Sequence, residues 1–294
     1  MLLVLLLHCL EYPFELPKEL DYSDIQYYEY SDPIYISIDE RCSVFHNDGL
    51  IIKRLVLYNQ VLEIYNENVL YYGKNEVYFL NKLNKISATH FVIFKGWKET
   101  LRYFFIALEV CLRNSKELMT KHPIQFIVQV VKGIDLMHRN KVYHMDIKPS
   151  NVLYCKHPIK KHKRVFKLAD FDSSTIELID DKCTGSMPYM APELYSLCFE
   201  SPINGKTSYN SRLLDMFSLG AMFGRLFTTI SNKAEIYPCY HPDSIQTIAL
   251  KPNLPMILSQ LDFVSTVQKL THCDPLQRLA MEDLLTLSLF NQFN

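Results

Sequence analysis

Between Val142 and Tyr154 the chain reads Val-Tyr-His-Met-Asp-Ile-Lys-Pro-Ser-Asn-Val-Leu-Tyr. Asp146, Lys148 and Asn151 fall there at spacings of two and three, and Pro149 fixes the backbone between them. Strand-like residues frame the loop, Val142 and Tyr143 before it and Val152, Leu153 and Tyr154 after it. A loop framed in this way can present a carboxylate, an ammonium and a carboxamide to one reacting centre. Phosphoryl transfer uses that set. The carboxylate orients and deprotonates an attacking hydroxyl, the ammonium neutralises the moving phosphoryl group, and the carboxamide holds a metal ion. A polar turn between two strands accounts for the loop taken alone equally well, so segments further along the chain have to decide.

Four such segments follow in order. Lys167-Leu168-Ala169-Asp170-Phe171-Asp172 comes first, then Gly185-Ser186-Met187-Pro188-Tyr189-Met190-Ala191-Pro192-Glu193. Asp215-Met216-Phe217-Ser218-Leu219-Gly220 and Asp274-Pro275-Leu276-Gln277-Arg278 complete the series. Together with the first loop they resemble the eukaryotic protein kinase superfamily, in its serine/threonine form, over roughly residues 35–293. The resemblance implies an α+β, two-lobed kinase-like fold. It has a small β-rich N-lobe at 35–111, a larger helical C-lobe at 112–293, and an acidic, tyrosine-rich extension at 1–34. It implies ATP and Mg2+ as cofactors and a protein as substrate. Asp146 is then the base, Lys148 the phosphoryl-stabilising cation, and Asn151 and Asp170 the metal ligands. Gly185 to Glu193 corresponds to the substrate-docking loop, and Glu193 with Arg278 to a buried ion pair. Asp215 is expected to accept hydrogen bonds from backbone amides of the catalytic loop.

The small lobe departs further from the pattern. Ile38 to Phe45 stands in the place of the glycine-rich loop, yet none of the eight glycines falls there. Asp39, Arg41 and Ser43 occupy roughly the glycine positions, and side chains there weaken a backbone cradle for phosphates. Leu50 to Lys53 stands where the ATP-lysine strand belongs, after a turn at Asn47-Asp48-Gly49. Lys53 has a rival reading as a surface strand lysine beside Arg54. Glu76, Phe79, Leu80 and Leu83 share one face of a helix expected over 75–84. A carboxylate on a core face needs a cation, and Lys53 is the natural candidate; an edge glutamate is the plainer alternative. His90–Lys95 and Leu101–Cys111 read as strands, the second ending in Glu109-Val110-Cys111, which is similar to the adenine-binding hinge. The resemblance thus assigns the nucleotide to Ile38, Val44, Lys53, Glu76, Glu109, Cys111 and Leu153.

Two details narrow the class. Met145, in place of the usual arginine within His144–Asn151, resembles the Wee/Myt cell-cycle kinases, which implies a cyclin-dependent kinase as partner. Gly96-Trp97-Lys98-Glu99 is similar to an element of that class, placed between two strands, and to one in kinases of a translation initiation factor's alpha subunit. Thr184-Gly185-Ser186 departs from the Glu-Gly-Asp of the Wee/Myt class and fits general serine/threonine kinases. The rival from another class is a pseudokinase, a binding or scaffold module that keeps the fold without turnover.

Composition bounds the remainder. A net charge of −1 gives no global pull toward nucleic acid or membrane. Eight scattered cysteines without a CxxC pair read as reduced thiols of a cytoplasmic or nuclear protein. Cys155, His157 and His162 are of zinc-ligand type but lack a second cluster. Met1 to Leu7 is too short to span a bilayer and reads as a strand or helix turn packed on the domain. Residues 1–35 carry seven acidic side chains against Lys18 alone, and read as a solvated, partly ordered extension, with a docking or phosphorylation segment as the alternative. The basic turn from Lys156 to Arg164 reads as a solvated connection. Pro123 fits the first turn of a helix striped by Phe126, Ile127, Val130, Val131, Ile134 and Met137.

Overall fold

The computed structural model describes residues 12–20, 34–38, 42–47, 49–59, 64–112, 115–199, 208–230, 248–251, 254 and 263–287. Met1–Leu7, Asp39, Arg41 and Asp48 lie outside that set, so the readings made on them have no structural counterpart here. The chain divides into two compact units, one of residues 1–86 and 93–110, the other of residues 87–92 and 111–294.

In the first unit, strands β1 (Ile34–Ile38), β2 (Cys42–Asn47) and β3 (Leu50–Val56) form successive antiparallel pairs. Gly49, in the turn between β2 and β3, has φ +76°, a conformation open to glycine at little cost. A short hairpin follows, β4 (Tyr58–Asn59) with β5 (Ile64–Tyr65). Two further strands, β6 (Phe94–Glu99) and β7 (Tyr103–Glu109), complete a sheet ordered β1-β2-β3-β7-β6. The expected strand pair is therefore present but displaced. Gly96-Trp97-Lys98-Glu99 lies within β6, and the turn falls at Thr100, whose hydroxyl accepts from the Tyr103 amide at 3.1 Å. The helix α1 (Glu67–Ile86) is longer than its apolar spacing suggests, because Asn66 caps it, accepting from the Val69 amide at 3.1 Å. Its inner face buries Glu76, Phe79, Leu80 and Leu83, as the spacing predicts. Gly73 lets it approach the sheet, since a Cβ there would lie 2.8 Å from the Phe104 ring.

The second unit opens with β8 (Cys111–Leu112) and the helices α2 (Ser115–Lys121) and α3 (Pro123–Arg139). Pro123 sits in the first turn of α3, and the predicted stripe from Phe126 to Met137 is buried. Strands β9 (Val152–Lys156) and β10 (Arg164–Leu168) join β8 in a sheet ordered β10-β9-β8. Beyond them come β11 (Ile179–Asp180), α4 (Pro192–Phe199), β12 (Tyr209–Asn210) and α5 (Ser211–Phe227). The chain continues through β13 (Thr228–Ile230), β14 (Ile248–Leu250), α6 (Phe263–Leu270) and α7 (Met281–Thr286). Phe126 anchors the core, its ring edge-on to Phe166 at 5.2 Å and to Phe227 at 5.9 Å. The central helix α5 is buried nearly all round, and Gly220 admits α6 against it, with Leu270 Cβ only 2.5 Å from where a side chain would start.

One expectation is corrected. Cys111 is joined to Cys155 and Cys183 to Cys198, so these four are not free thiols. The β8–β9 register sets Cys111 opposite Cys155, a juxtaposition of residues 44 apart that no spacing motif announces. That pairing also removes Cys155 from any zinc set, and His157 Nδ1 instead accepts from the Ile159 and Lys160 amides, both at 3.1 Å. The N-terminal extension is partly ordered, as expected, with residues 12–20 packed within the first unit. Among the described residues no helix is long and apolar enough to cross a membrane.

Candidate active site

The loop from Tyr143 to Asn151 is held from beneath by one carboxylate. Asp215 is fully buried in the first half of α5 and accepts from the His144 amide at 2.8 Å and the Met145 amide at 2.9 Å. His138, near the end of α3, adds its Nε2 at 2.9 Å. These bonds satisfy a buried charge that would otherwise be costly. They also fix Met145 at φ +68°, a left-handed conformation that a non-glycine residue keeps only where its surroundings insist on it. The expectation that Asp215 binds catalytic-loop amides is met at both positions.

With the backbone fixed, the three spaced side chains converge. Lys148 Nζ donates to Asp146 Oδ2 at 2.6 Å and to Ser186 Oγ at 2.8 Å. Asn151 Nδ2 donates to the Asp146 carbonyl at 2.9 Å and to Oδ2 at 3.3 Å. Asp146 Oδ1 is buried and has no hydrogen-bond partner among the described residues. Ser186 reaches Lys148 through a close backbone approach. Gly185 has φ +101°, and a Cβ on it would lie 2.9 Å from the Met145 carbonyl oxygen. Glycine is required there on both counts.

Asp170 enters through the strand ladder. The Ala169 amide donates to the Asn151 carbonyl at 2.9 Å, linking the residue before Asp170 to the end of the catalytic loop. His144 Nε2 lies 3.2 Å from the Ala169 carbonyl, so that nitrogen carries the proton and donates. Phe171 is fully buried between Phe91 and His144. Asp170 itself has φ +66°, whereas Asp172, at the usual glycine position, needs no left-handed backbone and accepts from the Ser173 hydroxyl at 3.0 Å. The donor chemistry fits a hard cation. Asn151 spends its amide nitrogen on Asp146, while its side-chain oxygen accepts a long bond from the Ser150 hydroxyl at 3.4 Å; that oxygen and the Asp170 carboxylate are ligands of the kind Mg2+ takes. The amide orientation here follows the hydrogen-bond network.

The residues assigned to the nucleotide divide between the two units. Within the first, Lys53 Nζ lies 2.7 Å from Glu76 Oε2, with the glutamate almost completely buried. Val44 pairs opposite Lys53 across β2–β3, and Ile38 ends β1 opposite Ser43. Ser43, within β2, is buried and accepts from Arg54 Nε at 3.1 Å. Glu109, at the end of β7, is locked to Ile93, its amide donating to the Ile93 carbonyl at 3.0 Å and its carboxylate accepting from the Ile93 amide at 2.7 Å. Within the second unit, Leu153 shares a face of β9 with Cys155, opposite which stands Cys111.

The apolar spacing did not find the N-terminal residues that touch α1 and β6. Their signal, alternating Tyr12, Phe14 and Leu16 between outward Pro13 and Glu15, is short and was masked by the surrounding acidic charge. Of the hydroxyls of Ser173, Ser174, Thr175 and Thr184, which lie between Asp172 and Gly185, those of Ser174 and Thr175 are on buried residues. Ser174 donates to the His144 carbonyl at 3.3 Å, and Thr175 accepts from the Glu177 amide at 3.0 Å.

The sequence pattern described as the protein kinase domain matches residues 64–290, which begins after Lys53. The chain is 27% identical over 211 residues to a Wee1-like protein kinase of Oryza sativa subsp. japonica, covering 68% of this chain and 35% of the relative. It is 26% identical over 232 residues to the dual specificity protein kinase zak2 of Dictyostelium discoideum, covering 74% and 31%. It is 34% identical over 122 residues to the probable serine/threonine-protein kinase KKQ8 of Candida glabrata, covering 38% and 14%. The chain therefore spans about a third or less of the length of these curated relatives. With the matched pattern extending over more than half of its residues, and an α+β architecture of the two-lobed kind, this chain belongs to the protein kinase family.

Proposed function

We propose that this chain is an active ATP- and Mg2+-dependent protein kinase acting on serine or threonine hydroxyls. One observation carries the reading. Lys148 bridges Asp146 Oδ2 and Ser186 Oγ while Asp146 Oδ1 is left without a partner. Asp146 then has one oxygen that holds it in place and one that can accept the proton of an incoming hydroxyl. Lys148, held between them, lies where charge on the transferring phosphoryl group is neutralised, and Ser186 sets the reach of the acceptor. Asn151 and Asp170 would hold Mg2+, which would supply positive charge to offset the charge developing on the phosphates. Lys53, oriented by Glu76, would hold the α- and β-phosphates. The glycine-free segment at 38–45 makes nucleotide affinity the weak point of this enzyme rather than turnover.

A second, finer reading places the chain near the Wee/Myt class, with a cyclin-dependent kinase as substrate. Met145, the Trp97–Glu99 element and the similarity to the rice Wee1-like kinase favour it. Ser186 bonded to Lys148 favours a short hydroxyl and so pulls against a tyrosine acceptor. Phosphoamino-acid analysis after incubation with labelled ATP, Mg2+, generic protein substrates and a cyclin-dependent kinase complex separates the two. Phosphoserine or phosphothreonine on generic substrates supports the first reading. Phosphate on that complex supports the second, and no transfer to any protein overturns both in favour of a binding module.

A further inference from the structure

Residues 12–20 cross the first unit as an extended segment whose inward side chains, Tyr12, Phe14 and Leu16, alternate with outward Pro13 and Glu15. At one end they cover the stripe of α1 beside Glu76. Tyr12 Oη donates to Asn75 Oδ1 at 3.1 Å, and its ring meets Tyr71 edge-on at 5.6 Å. Phe14 stacks on Tyr78 with ring centroids 4.2 Å apart, and meets Phe79 edge-on at 6.3 Å. Residues 71, 75 and 78 recur at helical spacing, so the segment grips one continuous face. Burial, with Tyr71 and Tyr78 close by, pushes the Tyr12 phenol well above its ordinary pKa, which keeps it a neutral donor.

The other end is fastened to β6. The Trp97 indole donates to the Pro17 carbonyl at 2.8 Å, the Leu20 amide donates to the Trp97 carbonyl at 3.0 Å, and Lys98 pairs with Glu19 at 2.8 Å. Leu20 packs into the space that Gly96 leaves, since a Cβ there would fall 2.5 Å from Leu20 Cγ. One short segment thus links the helix that carries Glu76 to the sheet that carries Lys53. Two direct polar links also join α1 to β6, the Lys74–Glu99 ion pair at 3.2 Å and the Phe94 amide donating to Asn84 Oδ1 at 2.7 Å.

We infer that residues 12–20 act as a strap that positions Glu76 against Lys53, with Tyr12 and Phe14 as positioning residues. Without the strap, the outer face of α1 loses its aromatic cover and the helix can shift relative to β3. Glu76 then leaves the ammonium that it orients. This inference rests on the kinase reading for its consequence, nucleotide affinity, but not for its geometry. It also gives Trp97 a physical task, as the sheet-side anchor of the strap.

The test uses the whole chain and two readouts. The first needs no nucleotide: the rate at which Lys53 is acylated by a small amine-reactive ester, followed by peptide mass spectrometry. An ammonium that loses its carboxylate has a lower pKa and reacts faster, by roughly tenfold for each unit. Phe14→Ala and Gly96→Val release the strap from opposite ends, and Tyr12→Phe removes only its hydrogen bond. Both release variants are expected to accelerate Lys53 acylation roughly tenfold, to the rate of Glu76→Gln, with no further increase when combined with Glu76→Gln. Unchanged acylation in both variants overturns the inference, as does an effect of equal size with and without Glu76. The second readout is affinity for a non-hydrolysed Mg–ATP analogue, which should weaken in the same variants and in Lys53→Met. If acylation responds but Lys53→Met binds the analogue normally, the strap stands and the nucleotide role of Lys53 fails.

Discussion

Asp146 has one carboxylate oxygen engaged by Lys148 and Asn151 and the other buried and without a partner among the described residues. That asymmetry is chemically useful, because the engaged oxygen fixes the rotamer and the remaining one keeps its lone pairs for an incoming hydroxyl. Ser186 supports the arrangement from outside the loop by holding Lys148. Losing a hydrogen bond to a charged group costs about 1.5–3 kcal/mol. Ser186→Ala is therefore expected to lower kcat roughly 10–100-fold and to leave the KM for ATP unchanged, measured by steady-state kinetics. Asp146, Lys148 and Asn151 were legible from types and spacing, since one loop carries all three. Ser186 was legible only through resemblance, because residues 38 apart meet through a glycine whose conformation no periodicity encodes. Cys111 and Cys155 were misread for a similar reason, their pairing being a consequence of strand register.

At the scale of the element, the segment around Met190 and α4 packs directly on the catalytic loop. Met145 is buried in one apolar cluster with Tyr143, Met190, Leu194, Leu214 and Phe217. In the usual arrangement a cation at this position grips a phosphate on the activation segment. Here the cluster joins the catalytic loop directly to the segment around Met190 and α4, so order needs no phosphate. Phosphatase treatment is expected to leave the phosphorylation rate unchanged. Ser173 and Thr184 retain some exposure, unlike Ser174 and Thr175, and a roughly tenfold loss of rate mapped to either would contradict this. Element boundaries show where sequence reading reached and where it stopped. The inner face of α1 followed from apolar spacing, but its first two turns depended on the Asn66 cap. The β6–β7 turn was misplaced because Trp97 and Lys98, which read as connection residues, pair with Ile106 and Phe105 across β6–β7.

At the scale of the whole molecule, each unit is stabilised by its own buried ion pair. Lys53 with Glu76 serves the first. In the second, Arg278 is completely buried and makes a two-pronged pair with Glu193, at 2.5 and 2.6 Å. Its remaining donors reach the Leu213 carbonyl at 3.1 Å and the His272 carbonyl at 2.8 Å, and Phe217 lies 4.9 Å beneath the guanidinium. Removing one member of such a pair leaves a buried charge unmatched, at a cost of about 3–5 kcal/mol. Arg278→Met should show that loss in denaturant unfolding, and Arg278→Met with Glu193→Gln should lose less than the two single changes summed. This pair was visible in the sequence as two motifs 85 residues apart. The strap was not, because its contacts join residues far apart in the chain, Tyr12 bonding to Asn75, 63 positions away.

The central claim is that the Asp146 loop transfers phosphate and does not merely bind a nucleotide. The direct measurement compares wild type with Asp146→Asn in two assays, phosphate incorporation from labelled ATP with Mg2+ and equilibrium affinity for Mg–ATP. A positioned base is worth about 10²–10⁴-fold in rate, so incorporation is predicted to fall by that factor while affinity stays the same. Equal incorporation by the two proteins would contradict the account and leave the chain as a binding module on a kinase fold.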